Sequence, residues 1–174
     1  MSIRIVLADD HKIVRDGLRS LLDSQDGMSV IAEAENGRAT VDLALELRPD
    51  VVVMDVGMPD LNGMEATRQI VADAPNTRVI ALSMHSDKRF VEGMLAAGAM
   101  GYVLKDEAFE TLATAIRTVV SRGPYLCPKV AGVVVSDYVS RLPLAEEEGL
   151  PVLTPREREV LQLLAEGNST KQIA

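Results

Sequence analysis

VVVMD, residues 51–55, is an unbroken apolar run that ends in a carboxylate. A short Val-rich run of this kind reads as a strand buried on both faces, as strands are in a helix-covered parallel sheet. The chain on either side repeats one alternation. Upstream stands IRIVLA (3–8), then a segment 12–24 with Val14, Leu18, Leu21 and Leu22 on one helical face. MSVIAEA (28–34) is strand-like, and Asn36-Gly37 opens a helical stretch that Pro49-Asp50 closes. Downstream, a loop with Pro59, Asn62 and Gly63 leads to a helix over 64–72, then the strand RVIALS (78–83). A helix over 88–97 stops at Gly98, GYVLK (101–105) is a strand, and 107–121 is helical. Five β-α units in a row predict an α/β fold with a parallel sheet and helices on both faces. Ligands of such sheets bind beyond the carboxyl ends of the strands.

Composition narrows the function. Hydrophobic residues make 47% and charged residues 25% of the 174, which suits a globular chain with a real core. Aromatics are 3% with no Trp, which excludes a platform of stacked rings for single-stranded nucleic acid. The single Cys127 excludes a disulfide framework and a Cys-rich zinc site. The net charge is −8, with acids in surplus in both 1–122 and 123–174, so neither part is a basic nucleic-acid binder overall. MSIRIVLADD carries two carboxylates by its tenth residue and is no secretory signal. The uncharged stretch 93–104 is far shorter than the ~20 residues of a membrane helix. The expectation is a cytoplasmic chain with no membrane partner.

The predicted strand ends carry the chemistry. They are Asp9-Asp10, Asp55, Ser83 and Lys105. Carboxylates ~4 Å apart repel by roughly 4 kcal/mol per pair at an effective dielectric of 20. Lys105 offsets part of this, and a hard divalent cation such as Mg2+, which favours carboxylate and phosphate oxygens, would offset more. Carboxylate, cation, hydroxyl and lysine aimed at one point make a phosphoryl-transfer arrangement, in which a carboxylate attacks in line.

LADDH (7–11), MDVGMPDLNG (54–63), ALSMH (81–85) and GYVLKD (101–106) resemble the receiver domain of two-component response regulators over 1–122. The resemblance implies a flavodoxin-like (βα)5 fold with strand order 2-1-3-4-5; a chemotaxis receiver is itself a standard example of that order. It implies that Asp55 accepts the phosphoryl group, and that Asp10, Asp55 and the Gly57 carbonyl bind Mg2+ or Mn2+, with Asp9 helping through water. It implies that Ser83 and Lys105 hold the phosphoryl group and that Tyr102 rotates inward after Ser83. Gly57 and His85 would modulate dephosphorylation. The chain is then a slowly self-dephosphorylating phosphoacceptor and no dedicated enzyme. A haloacid-dehalogenase-like hydrolase would want an acid where Gly57 stands. Flavin binding would want a Ser/Thr/Gly-rich loop where DDHK (9–12) stands. A constitutive interaction module, never phosphorylated, is the remaining alternative.

Residues 123–152 read as a linker with a helix over 128–142 and an acidic, Pro-containing tail. LTPREREVLQLLAEGNSTKQIA (153–174) has Thr154 as N-cap, Pro155 at the first helical position, and Glu157 completing a capping box. This run resembles the opening of the LuxR-type helix-turn-helix of the NarL/FixJ subfamily, an all-α fragment. The resemblance implies a sensor histidine kinase as phosphodonor, promoter DNA as target of the full-length protein, and a homodimer on activation. The recognition helix that enters the major groove would follow Ala174. The expectation is therefore a chain cut short within its DNA-binding domain, with no DNA-binding residues in this fragment and little or no DNA binding of its own.

Overall fold

Successive side chains of a strand point to opposite faces, and in this chain both faces are apolar. Ile5, Leu7, Val51, Val53, Ile80, Leu82 and Val103 are buried on one side. Val6, Ala8, Val52, Met54, Val79, Ala81, Tyr102 and Leu104 are buried on the other. The computed structural model describes residues 2–142 and residue 157. Its elements are β1 (Ile3–Ala8), α1 (Lys12–Asp23), β2 (Met28–Ala34), α2 (Gly37–Leu47), β3 (Val51–Asp55) and α3 (Gly63–Asp73). There follow β4 (Arg78–Ser83), α4 (Lys88–Ala96), β5 (Gly101–Leu104), α5 (Ala108–Ser121), β6 (Tyr125–Leu126) and α6 (Pro128–Arg141).

The strands pair in parallel in the order β2-β1-β3-β4-β5-β6. The expected order 2-1-3-4-5 is present, with a sixth strand added at the β5 edge. β6 has two residues, paired Gly101↔Tyr125 and Tyr102↔Leu126, too few for alternation to reveal. Behind it Cys127 and Val130 are fully buried with the core. The opening of the stretch read as a linker thus packs as part of the sheet domain.

Leu18 and Leu22 of α1 and Leu112 and Ile116 of α5 cover one face. Val41 and Ala44 of α2, Ala66 and Ile70 of α3, and Val91 and Met94 of α4 cover the other. Two asparagines start helices on the second face. Asn36 accepts from the Ala39 amide and Asn62 from the Glu65 amide, both at 2.9 Å, satisfying donors that a first turn leaves free.

The chain divides into two compact units, Met1–Asp137 and Tyr138–Ala174, with the division inside α6. Within the second unit the described residues are the end of α6, where the Leu142 amide donates to the Tyr138 carbonyl, and residue 157. The expectations for the acidic tail after residue 142 and for the helix-turn-helix opening at 153–174 lie outside the described residues, apart from Glu157, which is helical.

Candidate functional site

Sheet hydrogen bonding carries on just past the ends of β1 and β3. The Asp9 amide donates to the Ala34 carbonyl, and the Val56 amide to the Leu82 carbonyl. Asp9 and Asp55 are therefore held at 2% and 4% exposure at neighbouring strand ends. Asp10 follows on the turn into α1, its side chain one-third exposed. The Lys105 amide donates to the Ser83 carbonyl at 2.8 Å, which fixes the other half of the site.

From that anchor the Lys105 ammonium lies 2.6 Å from Asp9 Oδ2 and 3.1 Å from Asp55 Oδ2. Asp55 Oδ1 accepts from the Gly57 amide at 3.1 Å. Gly63 lets the start of α3 close over this strand end: a Cβ there would stand 2.3 Å from the Asp55 carbonyl oxygen. Only glycine allows so close an approach of backbone to backbone.

Burial is the largest influence on the Asp55 carboxyl, and it pushes the pKa above the usual carboxylate value. The Gly57 amide opposes the shift, the Asp9 charge adds to it, and Lys105 opposes it. For Lys105, burial works to lower the pKa. Its hydrogen bonds and charge contacts with Asp9 and Asp55 outweigh burial and hold it above the usual lysine value. The carboxylates thus lack positive charge while the one ammonium among them holds its proton firmly.

Asp9, Asp10, His11 and Asp55 each present one donor atom, all within 4.8 Å of one another. The three carboxylates suit a hard divalent cation. Their excess charge and the raised Asp55 pKa are what such a cation would relieve, so the donor set fits the Mg2+ expected from sequence. His11 is the member that the sequence reading passed over. Its Nδ1 lies 2.8 Å from Asp10 Oδ1 and 3.2 Å from Asp9 Oδ1, and its amide donates to Asp9 Oδ1 at 2.8 Å. Within DDHK (9–12) the imidazole folds back on both carboxylates.

The remaining expected residues form a second group. Ser83 is buried, and its Oγ accepts from the His85 amide at 3.0 Å. Tyr102 is fully buried, and its hydroxyl donates to the His85 carbonyl at 2.7 Å. The ring expected to rotate inward is therefore inward in this structure. Burial pushes the Tyr102 phenol pKa up, while the Ser83 hydroxyl draws it down. Ser83 and Tyr102 thus hold the two main-chain polar groups of one residue. The His85 ring is exposed and stacks on Phe90, centroids 5.0 Å apart, with Nδ1 4.0 Å from Asp87. Gly57 is exposed beside Asp55.

Comparison with known proteins agrees with this architecture. The family model described as response regulator receiver domain matches residues 5–117. The model for bacterial regulatory proteins of the luxR family matches residues 151–174. The transcriptional regulatory protein LiaR of Bacillus subtilis (strain 168) is 42% identical over 98% of this chain and 80% of its own length. The crystal structure of a LuxR-family two-component response regulator from Aurantimonas sp. SI85-9A1 superposes with a TM-score of 0.76 at 35% identity, over 80% of this chain and 99% of that one. A structure of two RcsB dimers bound to two parallel DNAs gives a TM-score of 0.70 at 26% identity, over 100% of this chain and 82% of that one. Among the described residues no helix is long and apolar enough to cross a membrane.

Proposed function

Because this chain belongs to the two-component response regulators that join a receiver domain to a LuxR-type DNA-binding region, we propose that Asp55 accepts a phosphoryl group from a sensor histidine kinase and thereby switches that region. One observation carries the reading: a buried carboxylate at a strand end with Lys105 on one oxygen and the Gly57 amide on the other. An Asp55 oxygen attacks the phosphorus of the kinase phosphohistidine. The P–N bond breaks, its electrons return to the imidazole, and an acyl phosphate forms on Asp55. Asp10, Asp55 and the Gly57 carbonyl, with Asp9 beside them, would hold Mg2+ or Mn2+, which would supply positive charge for the phosphoryl oxygens. Lys105, poised between Asp9 and Asp55, follows the new charge and pairs with it.

The switch follows from what Ser83 now holds. Drawn to the phosphoryl group, its hydroxyl releases the His85 amide. Tyr102 grips the carbonyl of the same residue, so the 84–87 turn and Tyr102 shift as one. That turn leads into α4, where Lys88 is ion-paired with Asp137 of α6. A displacement of the turn therefore bears on the helix that leads out of the receiver, a two-state device of the kind regulators use.

Gly57 and His85 flank the path of the hydrolytic water and set a slow self-dephosphorylation. The phosphoacceptor chemistry lies within 1–122, the stretch 123–152, whose opening packs on the receiver sheet, connects it onward, and the DNA-binding region begins at 153. The protein works in the cytoplasm, and with a complete LuxR-type domain it binds promoter DNA as a homodimer after phosphorylation. The RcsB dimers on DNA support that last part.

The test is intact mass after incubation with Mg2+ and a small-molecule phosphodonor, beside Asp55→Ala. A phosphate-sized, Mg2+-dependent gain that the variant lacks is expected. No gain, with cation binding normal, would leave the constitutive interaction module.

A further inference from the structure

Two cations serve the acidic end of the sheet, and they do so differently. Lys105 touches the carboxylates. Arg15 touches only the main chain beneath them: one terminal guanidinium nitrogen donates to the Asp9 carbonyl at 2.6 Å. Arg15 is 4% exposed, an unusual place for a guanidinium. Its other two nitrogens bond to β2 and the turn after it. Nε lies 3.3 Å from Glu33 Oε2, and the other terminal nitrogen 2.7 Å from Glu35 Oε1. Arg19, one turn along α1, meets Glu33 as well, but its side chain is half-exposed, and among the described residues Arg15 is the side chain that holds the Asp9 carbonyl.

A buried guanidinium with three bonded nitrogens has few ways to move. It clamps the peptide between Asp9 and Asp10, the two residues whose carboxylates form one side of the cation site. A side chain that orients metal ligands through their supporting hydrogen bonds is worth about 10–100-fold in metal affinity. We propose that Arg15 is a positioning residue for the divalent cation, presetting the Asp9–Asp10 arm against Asp55. This rests on the phosphoacceptor reading above for its biological meaning, but its measurement does not.

The experiment titrates the full 174-residue chain with Mn2+, read by electron paramagnetic resonance, and with Mg2+ by calorimetry. Arg15→Met is expected to weaken both cations by about tenfold or more, and Arg15→Lys by less, since an ammonium can still donate to the Asp9 carbonyl although it cannot span carbonyl and carboxylates together. Arg19→Ala, which removes an ion pair to Glu33 without touching Asp9, is expected to stay within about twofold. Phosphate uptake by Arg15→Met should be slow at low Mg2+ and recover at high Mg2+, a change in cation requirement with little change in maximal rate. An affinity for Arg15→Met equal to wild type, or an equal loss in Arg19→Ala, overturns the proposal. If Arg15→Met does not fold by circular dichroism, Arg15→Lys against Arg19→Ala decides on the same terms. A wild-type chain that binds no cation overturns this proposal and the cation site alike. One that binds cation but takes no phosphate overturns the phosphoacceptor reading, while the comparison of affinities still judges Arg15.

Discussion

The two ends of one sheet handle charge in opposite ways. At the amino end of β3, Asp50 accepts from the Arg4 amide at 2.8 Å, and its carbonyl accepts from the Arg78 amide at 3.0 Å. Arg4 donates to the Arg48 carbonyl, Arg48 to the Asp73 carbonyl, and Thr77 to the Pro49 carbonyl. Each of these bonds joins a polar group to a partner within the fold. At the carboxyl end, Asp9, Asp10 and Asp55 lie close together, and one lysine serves Asp9 and Asp55. The same backbone geometry serves both ends, so the imbalance is a property of the side chains placed there. A fold tolerates local conflict of this sort at sites of function and stays locally consistent elsewhere.

Removing the one ammonium from the conflicted end should have the largest effect. Lys105→Met leaves two buried carboxylates facing each other, and breaking a buried pair this way costs about 3–5 kcal/mol. Urea denaturation without Mg2+ should show that loss, and saturating Mg2+ should narrow the gap to wild type. A gap that ignores Mg2+ would mean the cation does not sit among these carboxylates.

Gly63→Ala comes next. Its Cβ would stand 2.3 Å from a main-chain oxygen that cannot swing away, and overpacking of this kind costs about 1–3 kcal/mol. The variant should also take up phosphate more slowly, since α3 and the Asp55 strand end must part. Normal uptake with reduced stability would separate the packing role of Gly63 from the site.

Asp55→Asn should act in the other direction. Burial raises the Asp55 pKa in the folded state. The folded state therefore favours the protonated carboxyl, and Asp55 lowers stability progressively as pH rises through that value. The neutral amide escapes this cost, and Lys105 keeps Asp9 as partner. Without Mg2+, the Tm of Asp55→Asn should exceed wild type at neutral pH, and the gain should shrink as pH falls from the raised Asp55 value to the ordinary carboxylate value. A gain that is constant with pH would have another origin.

The smallest effect belongs to the balanced end. Asp50→Ala removes a carboxylate that accepts one amide bond at an exposed position, worth about 1 kcal/mol. Phosphate uptake should be unchanged. A strong effect on uptake would show that the two ends are coupled through β3, and the contrast drawn between them would fail.

The strands were legible because their apolar runs are long enough to show. The bounds 3–8, 28–34, 51–55 and 78–83 agree with β1 to β4. β6 was not legible, because two residues carry no period. The convergence of Asp9, Asp10, Asp55 and Lys105 followed from their places at strand ends, since parallel strands bring those ends to one edge. His11 and Arg15 were missed for a different reason. Arg15 works from α1 and His11 from the N-cap residue before it, and neither position alone says whether a polar side chain turns to solvent or back over a strand end. Arg15 sits one turn into an amphipathic helix, where arginine is ordinarily solvent-facing. A hint lay in Glu33 and Glu35, acids flanking the buried Ala34 at the end of β2, which want a cation near that edge.

The sequence by itself determined the layered α/β architecture, the polarity of the sheet edges and the identity of the acidic set. Those depend on apolar periodicity and on which residue ends each strand, both local properties of the chain. Tertiary structure alone decided how the charges are shared: Lys105 between Asp9 and Asp55, the imidazole of His11 on two carboxylates, Arg15 on a main-chain carbonyl, Ser83 and Tyr102 on opposite polar groups of His85. The pairings of Lys105, Arg15 and Tyr102 join residues from different elements, while those of His11 and of Ser83 close turns beside a strand end. Where the groups are buried, an unpartnered polar group is costly, and this forces a partner from whatever the packing brings within reach.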